Sequence, residues 1–165
     1  RDLHSFPTRR SSDLQLGTGM ILKNLRETEL LGEKIADRLK KGTVIALIGE
    51  LGTGKTAMTK AIAKGLGITE NVNSPTFTLV QEYYSGKLPF FHFDVYRVDA
   101  IDELDVIDFN EYFYSDGICV VEWADLIEKE LPDEAIRVFI EYAEEEDSRI
   151  IKIEDPAAIL GDMKI

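Results

Sequence analysis

The chain has 165 residues, 44% of them hydrophobic and 30% charged, which is enough for one domain with a substantial core. Its 31 acids against 19 bases give a formal net charge of −12, which argues against a protein that grips nucleic acid through a broad basic face, since phosphate binding needs clustered Lys and Arg. A lone cysteine, Cys119, excludes an internal disulfide and, with two histidines, is thin material for structural zinc.

The longest aliphatic run, Val44-Ile45-Ala46-Leu47-Ile48, falls far short of the roughly 20 residues that span a bilayer. A soluble, cytoplasmic chain with no membrane partner is therefore expected. Residues 1–19 have no apolar period. Arg9-Arg10 invites a twin-arginine export reading, but no apolar stretch of about 7–15 residues follows it. His4 to Leu14, HSFPTRRSSDL, looks instead like a sequencing-library adapter translated in one frame. The expectation is a non-native, disordered leader over 1–19 and a single domain over 20–165.

Asn24 with Glu27 resembles a capping box, and Leu31, Ile35 and Leu39 recur at helical spacing, so a helix is expected near 25–40. Thr43–Ile48 is apolar and rich in β-branched residues without alternation, the pattern of a parallel strand buried on both faces. Gly49–Gly54 reads as a glycine-rich turn and Thr56–Leu66 as a helix. Further strands are expected at 78–84, 90–93, 118–121, 135–142 and 149–153, with acidic helical segments at 101–114 and 125–130. The alternation predicts a three-layer α/β fold with a mixed, mainly parallel central sheet. The close strand pairs at 78–93 and 135–153 are expected to be antiparallel hairpins, because parallel neighbours need longer crossovers.

Gly49-Glu50-Leu51-Gly52-Thr53-Gly54-Lys55-Thr56 satisfies G-x-x-x-x-G-K-[ST] and lies between a buried strand and a helix, where a phosphate-binding loop must lie. Such a loop wraps its amides around phosphate oxygens at a helix N-terminus. Lys55 can add a point charge, and the Thr56 hydroxyl can ligate Mg2+. The fold class becomes that of P-loop NTPases.

A catalytic P-loop needs an acid at the end of a second buried strand. Asp94 closes Phe90–Phe93 and Glu122 closes Ile118–Val121, and in a parallel sheet both carboxyl ends open on the ligand crevice. Each acid can equally be a turn residue. His92 shares a strand face with Asp94 as a supporting group or a plain core histidine. Trp123 can close the pocket or simply pack, and Cys119 reads as a small buried hydrophobe. Ser74-Pro75-Thr76-Phe77-Thr78 carries hydroxyls where a γ-phosphate sensor would lie, or is only a turn. The acid-rich stretches Asp99–Asp108 and Glu141–Asp147 are solvated faces or a partner's contact.

Neither N-K-x-D nor D-x-x-G occurs, which argues against a switch GTPase, and Arg97, Arg137 and Arg149 do not cluster as a kinase lid would. Three readings stay open from the pattern: an ATPase, a small-metabolite kinase, and a nucleotide-gated binding module without essential turnover.

The blocks GELGTGKT, SPTFTLVQEY, HFDVYR and VVEWADLIEKELP, in this order, resemble the TsaE (YjeE) family of bacterial P-loop ATPases from Met20 to about Ile153. That resemblance implies the ATPase component for threonylcarbamoyladenosine formation beside the tRNA anticodon, working with TsaD and TsaB and meeting tRNA only indirectly. It implies ATP/ADP and Mg2+ as cofactors and phosphate contacts from Gly49 to Thr56. It also implies Thr56 and Glu122 as Mg2+ ligands, Asp94 as a residue required for hydrolysis in or near the metal shell, and Lys55 as a neutralising charge. Trp123 would lie near the nucleotide, Thr76 in a switch-like segment, and Arg149 at a late basic position approaching the nucleotide. Asp105-Val106-Ile107-Asp108 departs from the family by lacking a glycine often found there, and residues 1–19 have no family counterpart.

Overall fold

The computed structural model describes residues 19–75, 78–96 and 107–163. The expected leader, apart from Gly19, and the expected helical stretch at 101–106 lie outside these residues.

After a short strand β1 (Met20–Leu22), Asn24 caps helix α1 (Leu25–Arg38). Its side chain accepts the Glu27 N–H at 3.0 Å, while the Glu27 carboxylate accepts the Lys23 N–H. Strand β2 (Val44–Gly49) follows, buried along its apolar run, and leads through the glycine-rich loop into α2 (Lys55–Gly65). Then come β3 (Val80–Tyr83), β4 (Phe90–Asp94), a short α3 (Phe109–Phe113) and β5 (Ile118–Glu122). A 3-10 segment at Ala124–Glu130 precedes the hairpin of β6 (Ile136–Tyr142) and β7 (Arg149–Glu154).

Among the described residues, seven strands form one sheet in the order β1-β7-β6-β2-β5-β4-β3. The four central strands, β6, β2, β5 and β4, run parallel, while β3 and the β7 and β1 edge are antiparallel. The mixed, mainly parallel sheet and both hairpins are as expected. Burial on both faces explains the unbroken apolar runs of β2 and β5.

Strand alternation divides the core in two. Ile45, Leu47, Phe90, Ile118 and Val120 face α1 and α2, packing with Leu31, Ile35, Met58 and Ile62. Val44, Ala46, Phe91, Phe93, Cys119 and Val121 face the other way, against Phe109, Phe113, Ala124 and Ile127. Three layers result. The same alternation carries His92, Asp94 and Glu122 onto the α2 side, and the register sets Asp94 opposite Glu122 and Glu122 opposite Leu47 of β2.

Besides shifts of a residue or two at element ends, three features differ from the expectations. β3 begins at Val80 rather than Thr78, because Leu79 adopts a left-handed backbone (φ 63°) and Thr78 Oγ1 donates to the Val80 carbonyl. The segment expected to be helical at 125–130 winds as 3-10 turns broken at Ile127 (φ −126°). β1 was not foreseen.

Candidate functional site

The loop after β2 owes its shape to its glycines. A Cβ on Gly49 would lie 2.4 Å from the Ile140 carbonyl of β6, so this glycine serves close strand packing. Gly52 (φ 79°) and Gly54 (φ 113°) occupy the left-handed region that side chains resist. Thr53 is buried, its hydroxyl donating to the Glu50 carbonyl at 2.8 Å. Leu51 is exposed, so its side chain contributes nothing to the interior.

Lys55 opens α2 and folds back over the loop. Its Nζ donates to the carbonyls of Gly49 (2.7 Å) and Glu50 (2.8 Å) and sits 3.9 Å from the centre of the Trp123 ring. Burial pulls its pKa from 10.5 down to about 8, against the opposing pull of Glu122 and Asp94. Trp123 follows β5 in a left-handed conformation (φ 62°), which turns its ring into the cleft, where Tyr96 stacks on it at 4.4 Å.

Beneath the lysine lies a knot of oxygens. Thr56 Oγ1 donates to Glu122 Oε1 at 2.9 Å and lies 3.2 Å from Ser74 Oγ. The other carboxylate oxygen, Oε2, is 3.2 Å from Thr59 Oγ1 and 2.5 Å from His92 Nε2. His92 is fully buried, and its Nδ1 has no hydrogen-bond partner. Among the described residues, the link to Glu122 is therefore the ring's only hydrogen bond. Asp94 accepts the Tyr96 N–H at 3.0 Å, and desolvation raises its pKa above the usual carboxylate value.

These groups open on one cleft of about 400 Å³, lined by Gly52, Gly54, Lys55, Thr56, Asp94 and Trp123 among others. The structure thus brings together the loop from Gly49 to Thr56, Asp94, Glu122 and Trp123. Arg149 also reaches the loop, but through its carbonyls: Nε donates to Thr53 O at 2.9 Å. Thr76 lies outside the described residues.

Ser74, Thr59, Tyr96 and Tyr142 join the site without having been singled out as its members. For Thr59 a signal existed, since it follows Thr56 by three residues on one helix face. Ser74 sat in a hydroxyl-bearing turn that was noted but not assigned. Tyr96 lay in the HFDVYR block without being given a role, and Tyr142 had no local signal.

Chemically, the Thr56 hydroxyl and the Glu122 carboxylate are hard oxygen donors side by side. Mg2+ usually takes only one or two protein ligands and completes its shell with water and phosphate oxygens, so this pair fits it. Among the described residues, no three His, Cys, Asp or Glu side chains are grouped to hold a metal by themselves. Nor is any described helix long and apolar enough to cross a membrane.

A family model described as "Threonylcarbamoyl adenosine biosynthesis protein TsaE" matches residues 22–151. A Bacillus subtilis (strain 168) protein named tRNA threonylcarbamoyladenosine biosynthesis protein TsaE is 46% identical over 127 residues, covering 77% of this chain and 79% of its own length. A Treponema pallidum protein of the same name is 36% identical, over 72% of this chain and 87% of its own. The crystal structure of YdiB from Bacillus subtilis superposes with a TM-score of 0.71 at 38% identity, covering 84% of this chain and 85% of that one.

Proposed function

The chain belongs to the TsaE family of threonylcarbamoyl adenosine biosynthesis proteins, and from that premise we propose that it is the ATP-hydrolysing component of the bacterial machinery that installs threonylcarbamoyladenosine next to the tRNA anticodon. The observation that carries the ATPase reading is the Thr56–Glu122 pair, 2.9 Å apart beneath a phosphate loop, with Asp94 at the neighbouring strand end.

The chain's own groups divide the work. Glycine amides of the loop and the N-terminus of α2 receive phosphate oxygens. Lys55 exchanges the Gly49 and Glu50 carbonyls for phosphate oxygens and neutralises charge that builds on them in the transition state. Thr56 and Glu122 would hold Mg2+, which when bound supplies positive charge to the β- and γ-phosphates. His92 holds the second oxygen of Glu122, with the Thr59 hydroxyl shared between it and the Lys55 carbonyl, leaving the first oxygen aimed at Thr56. Asp94, with its raised proton affinity, orients the attacking water or the metal's water shell. The Trp123–Tyr96 stack walls the cleft.

The protein works in the cytoplasm with TsaD and TsaB, which carry the transfer and the RNA contact. Among the described residues of the cleft lining there is no arginine, which supports a turnover that is slow alone and accelerated by these partners. The test is threonylcarbamoyladenosine formation in a reconstituted system, with ATP turnover followed in parallel. Loss of product when this protein is left out, and turnover that rises when TsaB and TsaD are added, is the expected result. Transfer of the γ-phosphate to a metabolite rather than to water, or product formation indifferent to the protein, would overturn the reading.

A further inference from the structure

Tyr142 and Arg149 sit opposite each other on the β6–β7 ladder, and both reach the outer side of the phosphate loop. The Tyr142 hydroxyl donates to the Leu51 carbonyl at 2.5 Å. Arg149 Nε donates to the Thr53 carbonyl at 2.9 Å, with Nη2 3.5 Å from the Gly52 carbonyl. Nη1 donates to the carbonyls of Glu146 (2.9 Å) and Ser148 (2.8 Å), which tie the guanidinium to its own hairpin. The guanidinium also lies over the Tyr142 ring at 4.7 Å, so the two side chains brace each other. Arg149 thus spends its donors on backbone carbonyls.

The consequence follows from peptide geometry. In a planar trans peptide the carbonyl of one residue and the N–H of the next point in opposite directions. Holding the Leu51 and Thr53 carbonyls on the hairpin side therefore turns the Gly52 and Gly54 amides to the opposite side. Both of those glycines line the cleft. A loop with left-handed glycines at 52 and 54 has wide backbone freedom of its own, which an outside anchor removes.

We infer that Tyr142 and Arg149 form a clamp that presets the loop amides for a polyphosphate chain, so that Arg149 is a positioning residue acting through Thr53 rather than a contact to the nucleoside. The inference rests on the reading of this loop as the phosphate site.

Calorimetric titration of ATP and of inorganic tripolyphosphate, at fixed Mg2+, into the full chain and into Y142F, R149A and R149K tests it, with thermal unfolding run beside each. Y142F and R149A should each weaken binding about tenfold, the size of one lost oriented hydrogen bond to an anion site. The loss should be the same for ATP and tripolyphosphate, at an unchanged unfolding midpoint. R149K, which keeps the charge without the fixed guanidinium fork, should not restore affinity. The double variant should lose less than the product of the single losses, because the two side chains act as one brace. Restoration by R149K, or a loss seen with ATP but not with tripolyphosphate, would mean direct contact with the nucleotide and would overturn the clamp. Unchanged affinity in Y142F and R149A would do the same. Should R149A fail to fold, Y142F still decides, since it removes one hydroxyl and leaves the ring. Wild-type protein that binds neither ligand would overturn the phosphate-site reading itself, and the clamp with it.

Discussion

Lys55 carries its charge against a desolvation penalty. Burial brings its pKa to about 8, although Glu122 and Asp94 favour the ammonium. In the unfolded chain the same lysine titrates near 10.5. Below about 8 it is protonated in both states, and the buried charge weakens the fold. Between about 8 and 10.5 the folded state sheds its proton first, so this group's contribution to stability improves as pH rises through that window. Phosphate affinity runs the other way, because only the ammonium attracts phosphate. ATP affinity is predicted to be flat below about pH 8 and to fall by up to about tenfold per pH unit above it. Calorimetry from about pH 7 to about 9.5 checks this, and an affinity that stays level throughout would separate Lys55 from the phosphates. Asp94 offers the complementary test. Its carboxylate accepts the Tyr96 amide beside the Thr56–Glu122 pair, and asparagine keeps that acceptor in place while losing the charge. Asp94→Asn should therefore leave nucleotide affinity within about threefold while cutting single-turnover hydrolysis about 100- to 1000-fold. Equal losses in binding and turnover would make Asp94 a binding group instead.

At the scale of elements, α1 and α2 are held together by two reciprocal small-residue contacts. A Cβ on Gly32 would stand 2.6 Å from the Ala61 methyl, and one on Gly65 would stand 2.5 Å from the Ala36 methyl. Helix propensity alone would make Gly32→Ala stabilising by about 1 kcal/mol. Overpacking a close helix contact costs about 1–3 kcal/mol, so packing wins. Gly32→Ala is predicted to lower the unfolding free energy by a net of about 1 kcal/mol, read as a lower denaturant midpoint at unchanged m-value. A higher midpoint would show that α1 can move away freely. The same helix shows what a linear reading can see. Its cap and its apolar stripe are local, and both are where Asn24, Leu31 and Ile35 place them, although the helix ends at Arg38 rather than near residue 40. The buried strands β2, β4 and β5 were legible for the same reason, and the loop was legible because its function requires a fixed spacing. β1 escaped because three residues show no period, and its only warrant is pairing with β7, more than 120 residues later. The left-handed Leu79 and Trp123 escaped too, since nothing in either residue announces positive φ. Tyr142 entered the site only through its tertiary contact with Leu51, and Ser74, noted as one of several turn hydroxyls, was singled out by its contact with Thr56.

The whole molecule places its reactive groups at the carboxyl ends of parallel strands, where β2, β4 and β5 deliver Gly49, Asp94 and Glu122 to one edge. The chain as a whole is acidic, with a formal charge of −12. Of the cations near the cleft, Lys55 is turned onto the loop and Arg149 onto loop carbonyls, so neither is presented outward to RNA. Tight tRNA binding would require many Lys and Arg contacts, each releasing counterions and each adding to a steep salt dependence. A net anion pays electrostatic repulsion at every approach to a polyanion instead. By itself the protein is therefore predicted to bind tRNA no more tightly than about 10 micromolar at physiological salt, as fluorescence anisotropy with labelled tRNA would measure. The same measurement with TsaB and TsaD present should show affinity that this chain's own basic residues do not set. Tight, salt-steep binding of tRNA by the protein alone would contradict the proposed division of labour, because it would mean that an acidic chain reads RNA through a surface its charge does not supply.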